Sequence, residues 1–353
     1  MTVCFHFLHY SIKENGKKEG FSKMKCANLH AINDLRFEET DRPVCASDEV
    51  LVRVKSCGIC GSDVPRVFTK GTYHFPTIIG HEFSGIVAED SEGKLVGKRV
   101  AVFPLLPCFS CESCKTENYA ACVNYDYYGS RRDGGMAEYI AVKRWNLVEL
   151  PDNISYDEGA MCEPISVGRH AVMKLNIQKG ENLLISGAGP IGIIAGQWAK
   201  SMGAGDVYYF DIDSRKIEFA KTLDFKEYEE GVKIDCVIEG TGHSGAIERC
   251  LAAIKPFGKI VLMGNPAGDV TFSQKTYWYI LRKELTVLGT WNSSYAERNN
   301  DWKESVAALS GGKLAVKALI THKYPIERCN EAFSLMAERK EFFNKVMLSV
   351  SEE

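Results

Sequence analysis

The chain has 353 residues, 45% of them hydrophobic and 25% charged, with a formal net charge of −3. That length exceeds what a single hydrophobic core usually organises, so two domains are expected. The balance of charge supplies no broad basic field for nucleic acid or anionic lipid, and no apolar run approaches the roughly 20 residues that span a bilayer, so a soluble protein is expected with neither as a partner.

Residues 1–23 read as a polar leader. The short apolar piece Cys4-Phe5-His6-Phe7-Leu8 is followed by lysines, glutamates and glycine rather than a small-residue cleavage site, so it is not a secretory signal. With no such signal, thirteen cysteines point to the cytoplasm, where clustered cysteines hold metal more often than they form disulfides. From Met24 the pattern tightens. Glu49–Val54, Ile86-Val87 and Arg99–Val102 are strand signals bounded by glycine or acidic residues, which makes the first region rich in strands and loops. After Pro164 strand and helix alternate, as in a parallel sheet with crossover helices. Strands are expected at Asn182–Ile185, Val207–Phe210, Cys236–Ile238, Lys259–Leu262 and Leu285–Leu288, and their continuous apolar runs suit burial on both faces. Ile191, Ile194, Ala195, Trp198 and Met202 recur at helical spacing, with Gly203 as a stop. From about Trp302 an amphipathic helix and strand are expected to pack back on the first region. The expected division is therefore 24–164 with 302–353 as one domain and 165–301 as the other.

Gly187-Ala188-Gly189-Pro190-Ile191-Gly192 follows a strand and opens a helix, the context in which G-x-G-x-x-G binds a dinucleotide. Its glycines let the backbone approach a pyrophosphate, whose charge then sits at the helix N-terminus. Asp211 lies nineteen residues after Gly192, at the end of the next strand. A carboxylate there accepts hydrogen bonds from ribose hydroxyls and repels a 2′-phosphate, so NAD is expected over NADP. Lys216 is a further candidate ribose contact, although a lysine on a helix is more often simply solvated.

Cys108, Cys111, Cys114 and Cys122 have the spacing C-x-x-C-x-x-C-x₇-C. Four thiolates close a tetrahedral zinc shell and leave no position open, so a structural zinc lobe is expected over 104–122. Thiolates suit an iron–sulfur cluster too, but nothing else in the chain suggests electron transfer. A second set is dispersed: Cys60, His81 and Glu163. Singly, each is an unremarkable core or surface residue. Beside a nucleotide site they suggest an open zinc site, with three protein ligands and a fourth position for an alcohol, whose pKa the metal lowers. Two zinc ions per subunit are expected.

These residues resemble the medium-chain zinc alcohol dehydrogenases, and within them the sorbitol dehydrogenase-like polyol branch, from about Met24 to the end. Within that branch they resemble the galactitol-1-phosphate 5-dehydrogenases, through Cys60–Asp63, Gly80–Gly85, Pro104–Cys108, Gly129–Gly135 and Leu281–Leu285. The resemblance implies an α/β protein with a GroES-like β-rich catalytic domain and a Rossmann nucleotide domain, assembled as a homodimer or homotetramer. It implies Cys60, His81 and Glu163 as catalytic zinc ligands, with Glu82 beside the metal, Ser62 taking the proton of the bound hydroxyl and Asp63 orienting His81. Cys57 and Cys162 are left out of the ligand set. Pro65 stands where some relatives carry a relay histidine, and the stretch from Ala220 to Asp235 is shorter than in the family, trimming a helix and a strand. The implied reaction oxidises a polyol, with galactitol 1-phosphate to tagatose 6-phosphate foremost and Arg131 and Arg132 holding the phosphate. Sorbitol, xylitol, butanediol and threonine are alternatives, as is a non-catalytic crystallin-like role, against which the intact ligand set argues.

Overall fold

The computed structural model describes residues 22–352, so the leader expected over 1–23 lies almost wholly outside the described residues. The first region is built around the strand Glu49–Ile59, nearly all of it buried. It pairs antiparallel with Glu82–Asp90, with Tyr139–Lys143 along its first half and with Lys345–Ser349 along its last residues. The sheet is completed by Arg99–Val102 and Leu147–Glu149 on one side and Ile320–Pro325 on the other. A small sheet of Asp34–Asp41, Lys23–Ala31 and Thr77–Ile78 packs beside it. Register decides what happens at the sheet's end. Gly58 lies opposite Glu82 and Ile59 opposite Val346. Cys60, His81, Glu82 and Lys345 therefore emerge together at one end of three neighbouring strands.

The second region holds six parallel strands in the order Lys226–Glu227, Val207–Phe210, Leu183–Ser186, Ile234–Glu239, Ile254–Leu262, Thr286–Gly289. The order reverses beside Leu183–Ser186, and ligands of such sheets bind outside the carboxyl ends of the strands at that point. A strand-rich first region and a doubly wound parallel second region, as expected, are both present. One detail differs from the sequence reading. Thr286–Gly289 is largely exposed rather than buried on both faces, because it is the outer strand of the sheet. The short stretch before Ile234 carries only the two-residue strand Lys226–Glu227 and no helix after it.

The helix Cys162–Leu175 links the two regions, and the helix Asp301–Ser310 packs on it. Ser166 Oγ lies 3.0 Å from Ser305 Oγ, and the buried Asp301 takes His170 at 2.8 Å and Arg169 as partners. Trp302 is fully buried in this core, and its truncation to alanine would cost about 3–5 kcal/mol. Within the tail, Ile320–Pro325 and Lys345–Ser349 join the first sheet, and the helix Asp301–Ser310 joins a core that draws on both regions. No described helix is long and apolar enough to cross a membrane.

Candidate active site and zinc centres

The four cysteines of the lobe converge. Cys111 Sγ lies 3.5 Å from Cys114 Sγ and 3.9 Å from Cys122 Sγ, and Cys108 Sγ lies 3.9 Å from Cys114 Sγ. Ligands about 2.3 Å from a tetrahedral zinc stand about 3.8 Å apart, so the set fits that ion, whereas a disulfide needs about 2.05 Å. The hydroxyl of Ser110 and the amide of Cys111 donate to Cys108 Sγ, favouring its thiolate and lowering its pKa.

At the end of the first sheet, donor atoms of Cys60, His81 and Glu82 all lie within 4.8 Å of one another. Beneath them Asp63 is fully buried. Its Oδ1 stands 3.4 Å from His81 Nδ1 and accepts from Arg66 at 2.5 Å, and its Oδ2 accepts from the Cys60 amide at 3.1 Å. Burial alone would push this carboxyl up, but His81, Arg66 and the Cys60 amide hold it down at about 2. Burial opposes charge on His81 as well, yet Asp63 and Cys60 overcome it and raise the imidazole well above its ordinary range. An acid beside one ring nitrogen, with the Cys60 sulfur close to the same ring, suits a metal ligand. Ser62 is exposed and accepts from Arg66 at 3.0 Å.

Glu163, the third ligand implied by the resemblance, does not belong to that mutual cluster. It is buried at the start of the linking helix, and Tyr127 donates to its Oε1 at 3.4 Å. Burial raises its carboxyl to about 7, with His81 and Lys345 pulling down and Glu82 pushing up. Cys57 and Cys162 are fully buried apolar-core residues, and burial pushes the Cys162 thiol up to about 12. Two residues in the site escaped sequence reasoning. Lys345 donates to both oxygens of Glu82, at 2.7 and 2.5 Å, and to the Ile59 carbonyl at 3.3 Å. Tyr127 also sets its ring edge-on to His81, at 5.7 Å between centroids. No motif announces either one.

The loop that carries Arg131 and Arg132 is locked to the turn before His81 by backbone. A Cβ on Gly134 would fall 2.1 Å from the Gly80 carbonyl oxygen and one on Gly129 would fall 2.3 Å from it. The amides of Gly134, Gly135 and Met136 donate to Ile78, Gly80 and Ile79. Arg131 is sandwiched between Tyr73 and Tyr125, its guanidinium carbon 4.4 Å from each ring centroid. Tyr125 in turn packs edge-on against Tyr127 at 6.2 Å. Arg132 points elsewhere, with its Nε 2.9 Å from Asp126 Oδ2.

At the second sheet's switch point Gly187 has φ +95°, and a Cβ on Gly192 would meet the Gly187 carbonyl oxygen at 2.1 Å. Pro190 opens the helix Pro190–Ser201, followed by Ile191. No side chain caps its N-terminus, and nothing lies within 4 Å of where a Gly189 Cβ would be. That open cradle of amides suits a pyrophosphate. Asp211 accepts from the amides of Ala188 and Asp213, each at 2.9 Å, which fixes its carboxylate beside the glycine turn. Lys216 Nζ stands 5.7 Å from the Phe343 ring.

Residues 46–152 match the alcohol dehydrogenase GroES-like domain, and residues 190–311 match the zinc-binding dehydrogenase family. The chain is 37% identical over 322 residues to galactitol 1-phosphate 5-dehydrogenase of Escherichia coli strain K12, covering 85% of this chain and 92% of that relative. It is 30% identical over 350 residues to sorbitol dehydrogenase of Bacillus subtilis, covering 92% and 97%. The crystal structure of galactitol-1-phosphate dehydrogenase from Escherichia coli superposes with a TM-score of 0.86 at 35% identity, over 92% of this chain and all of that one. A thiolate, an imidazole and carboxylates gathered at one sheet end, a four-cysteine lobe and a glycine turn opening a helix thus agree with the likeness of the whole chain, which belongs to the zinc-dependent alcohol dehydrogenase family and acts as an oxidoreductase on CH–OH donors.

Proposed function

We propose that this enzyme oxidises a secondary alcohol of a polyol phosphate to the ketone, with NAD taking the hydride and galactitol 1-phosphate giving tagatose 6-phosphate as the foremost substrate pair. The observation that carries the phosphate is Arg131. Two tyrosine rings hold its guanidinium on the loop packed against the turn before His81, and among the described residues no carboxylate pairs with it. A guanidinium binds phosphate bidentately. Arg132, named beside it from the sequence, pairs with Asp126 through its Nε and is the weaker candidate for that role. The likeness to the Escherichia coli relative supports the same substrate.

Cys60, His81 and Glu163 would hold the catalytic zinc with Glu82 alongside, and Cys108, Cys111, Cys114 and Cys122 a structural zinc. When bound, the catalytic zinc supplies Lewis acidity that lets an alcohol ionise near neutral pH, and NAD supplies the hydride acceptor. The chain's part is to position and to move a proton. Asp63 holds the His81 ring, Lys345 offsets the charge of Glu82, and Ser62 Oγ, open to solvent, would accept the alcohol's proton while giving its own hydroxyl proton to water. Pro65 has no group to pass that proton on. Oxidation then balances as the alcohol and NAD⁺ giving the ketone, NADH and one proton. Asp211, fixed beside the glycine turn, disfavours a 2′-phosphate and so favours NAD.

The assembly proposed is a homo-oligomer in the cytoplasm. The outer strand Thr286–Gly289 leaves one edge unpaired, and Tyr277, Trp278, Leu281, Val287 and Trp291 are exposed near it, a combination that a second copy would cover. The decisive experiment follows NADH absorbance with phosphorylated and free hexitols side by side. Preference for sorbitol over every phosphorylated polyol would replace the phosphate reading with that of a free-polyol dehydrogenase.

A further inference from the structure

We infer that Tyr127 is a positioning residue, whose hydroxyl holds the Glu163 carboxylate toward Cys60 and His81 and so strengthens metal binding there. The inference rests on the zinc reading proposed above.

Three observations converge on it. Glu163 is 6% exposed and Tyr127 8% exposed, so neither polar group has water as an easy substitute for the other. A buried hydroxyl or carboxylate left without a partner is costly, and the 3.4 Å contact between them is the hydrogen bond that satisfies both. Tyr127 is also anchored independently of Glu163. Its short strand Asp126–Tyr127 pairs with Leu105–Leu106, and its carbonyl oxygen accepts from the amides of Ser130, Arg131 and Arg132. The hydroxyl is therefore presented from a fixed backbone rather than carried by the carboxylate it meets. Finally, the Tyr127 ring lies edge-on to His81, so one side chain touches two of the residues proposed as ligands, which come from different elements.

The geometry also explains why Glu163 needs such a partner. Glu82 already has Lys345 on both oxygens, whereas among the described residues Tyr127 supplies the one side-chain hydrogen bond to Glu163. Outer partners of metal-binding carboxylates orient them, and their removal typically weakens metal affinity about 10- to 100-fold.

The test is metal binding, not turnover. Tyr127→Phe keeps the ring and deletes only the hydroxyl. Apo protein is loaded with Zn²⁺ and challenged with a chelator, and in parallel loaded with Co²⁺. Subtracting the Co²⁺ spectrum of Cys60→Ala, in which only the four-cysteine lobe takes metal, isolates the Cys60/His81 site. Tyr127→Phe is expected to hold metal at that site at least about tenfold more weakly and to shift the difference spectrum, with the lobe unaffected. In a Glu163→Ala background the same change should have no further effect, because its target is gone. Unchanged retention and spectrum in Tyr127→Phe, or additive losses in the double variant, would overturn the inference. If Cys60→Ala holds as much metal as the unaltered protein, it is instead the zinc reading that fails.

Discussion

Lys345 and Glu82, 263 positions apart, form a buried ion pair in which the ammonium reaches both carboxylate oxygens, at 2.7 and 2.5 Å. Their side chains are 4% and 1% exposed. Breaking such a pair from one side leaves an uncompensated charge in a poor solvent, which costs about 3–5 kcal/mol. Lys345→Met should therefore lower the midpoint of denaturant unfolding sharply. Adding Glu82→Gln should restore most of the loss, since it removes the orphaned charge. A Lys345→Met protein as stable as the parent would show that Glu82 is neutralised by something else.

This pair marks the limit of what could be read from the chain. Cys60 and His81 were legible because glycine-flanked turns surround each of them, and the four cysteines because their spacing is local. Glu82 was placed beside the metal only by resemblance, and Lys345 was invisible, since only the register of Glu49–Ile59 against its two neighbours brings it there. Tyr127 was hidden for the same reason, as one aromatic in Tyr125–Tyr128. The nucleotide turn was fully legible because strand, glycines, helix and Asp211 follow in order along the chain. Thr286–Gly289 was misread as buried because apolar content tells how a strand packs, not whether a neighbour exists on its far side. Arg131 and Arg132 look alike in sequence, and only their surroundings separate them.

The two metal sets should answer differently to removal of a ligand. Cys60→Ala is expected to lose one zinc per subunit and all turnover while unfolding at the usual temperature, because that site lies at the open end of a sheet held by other strands. Cys111→Ser should instead lower thermal stability and expose the lobe to proteolysis, since a structural zinc contributes folding free energy directly. Metal analysis finding two zincs in an inactive Cys60→Ala protein would remove Cys60 from the ligand set. Full stability in Cys111→Ser would mean that the lobe holds no metal.

Asp211→Ser tests cofactor choice. The substitution removes the charge that opposes a 2′-phosphate, so kcat/KM for NADP relative to NAD should rise by at least about tenfold, equivalent to about 1.4 kcal/mol. It also removes the acceptor for the Ala188 and Asp213 amides, so KM for NAD should increase as the glycine turn loosens. An unchanged ratio of the two cofactors would assign the selection to another group.

The substrate proposal stands or falls on two neighbours that the structure treats unequally. Arg131 lies between Tyr73 and Tyr125, its Nη2 also donating to the Tyr73 hydroxyl at 3.4 Å, and its carbonyl accepts from His74 Nε2 at 3.1 Å. Stacking fixes the plane of a guanidinium while leaving N–H groups for a bidentate anion. Arg132 already spends its charge on Asp126 in a half-exposed ion pair, the kind that contributes about 0–1 kcal/mol. Arg131→Ala should therefore raise KM for a hexitol phosphate at least about tenfold, the loss of one charge-assisted contact of about 1.4 kcal/mol or more, and should change activity on a free hexitol far less. Arg132→Ala should leave that KM within about threefold of the parent value. Steady-state kinetics on both substrates decide the matter: equal losses in the two variants would mean that the loop acts through its fold rather than through Arg131, and equal losses on the phosphorylated and free hexitols would remove phosphate from the reading altogether.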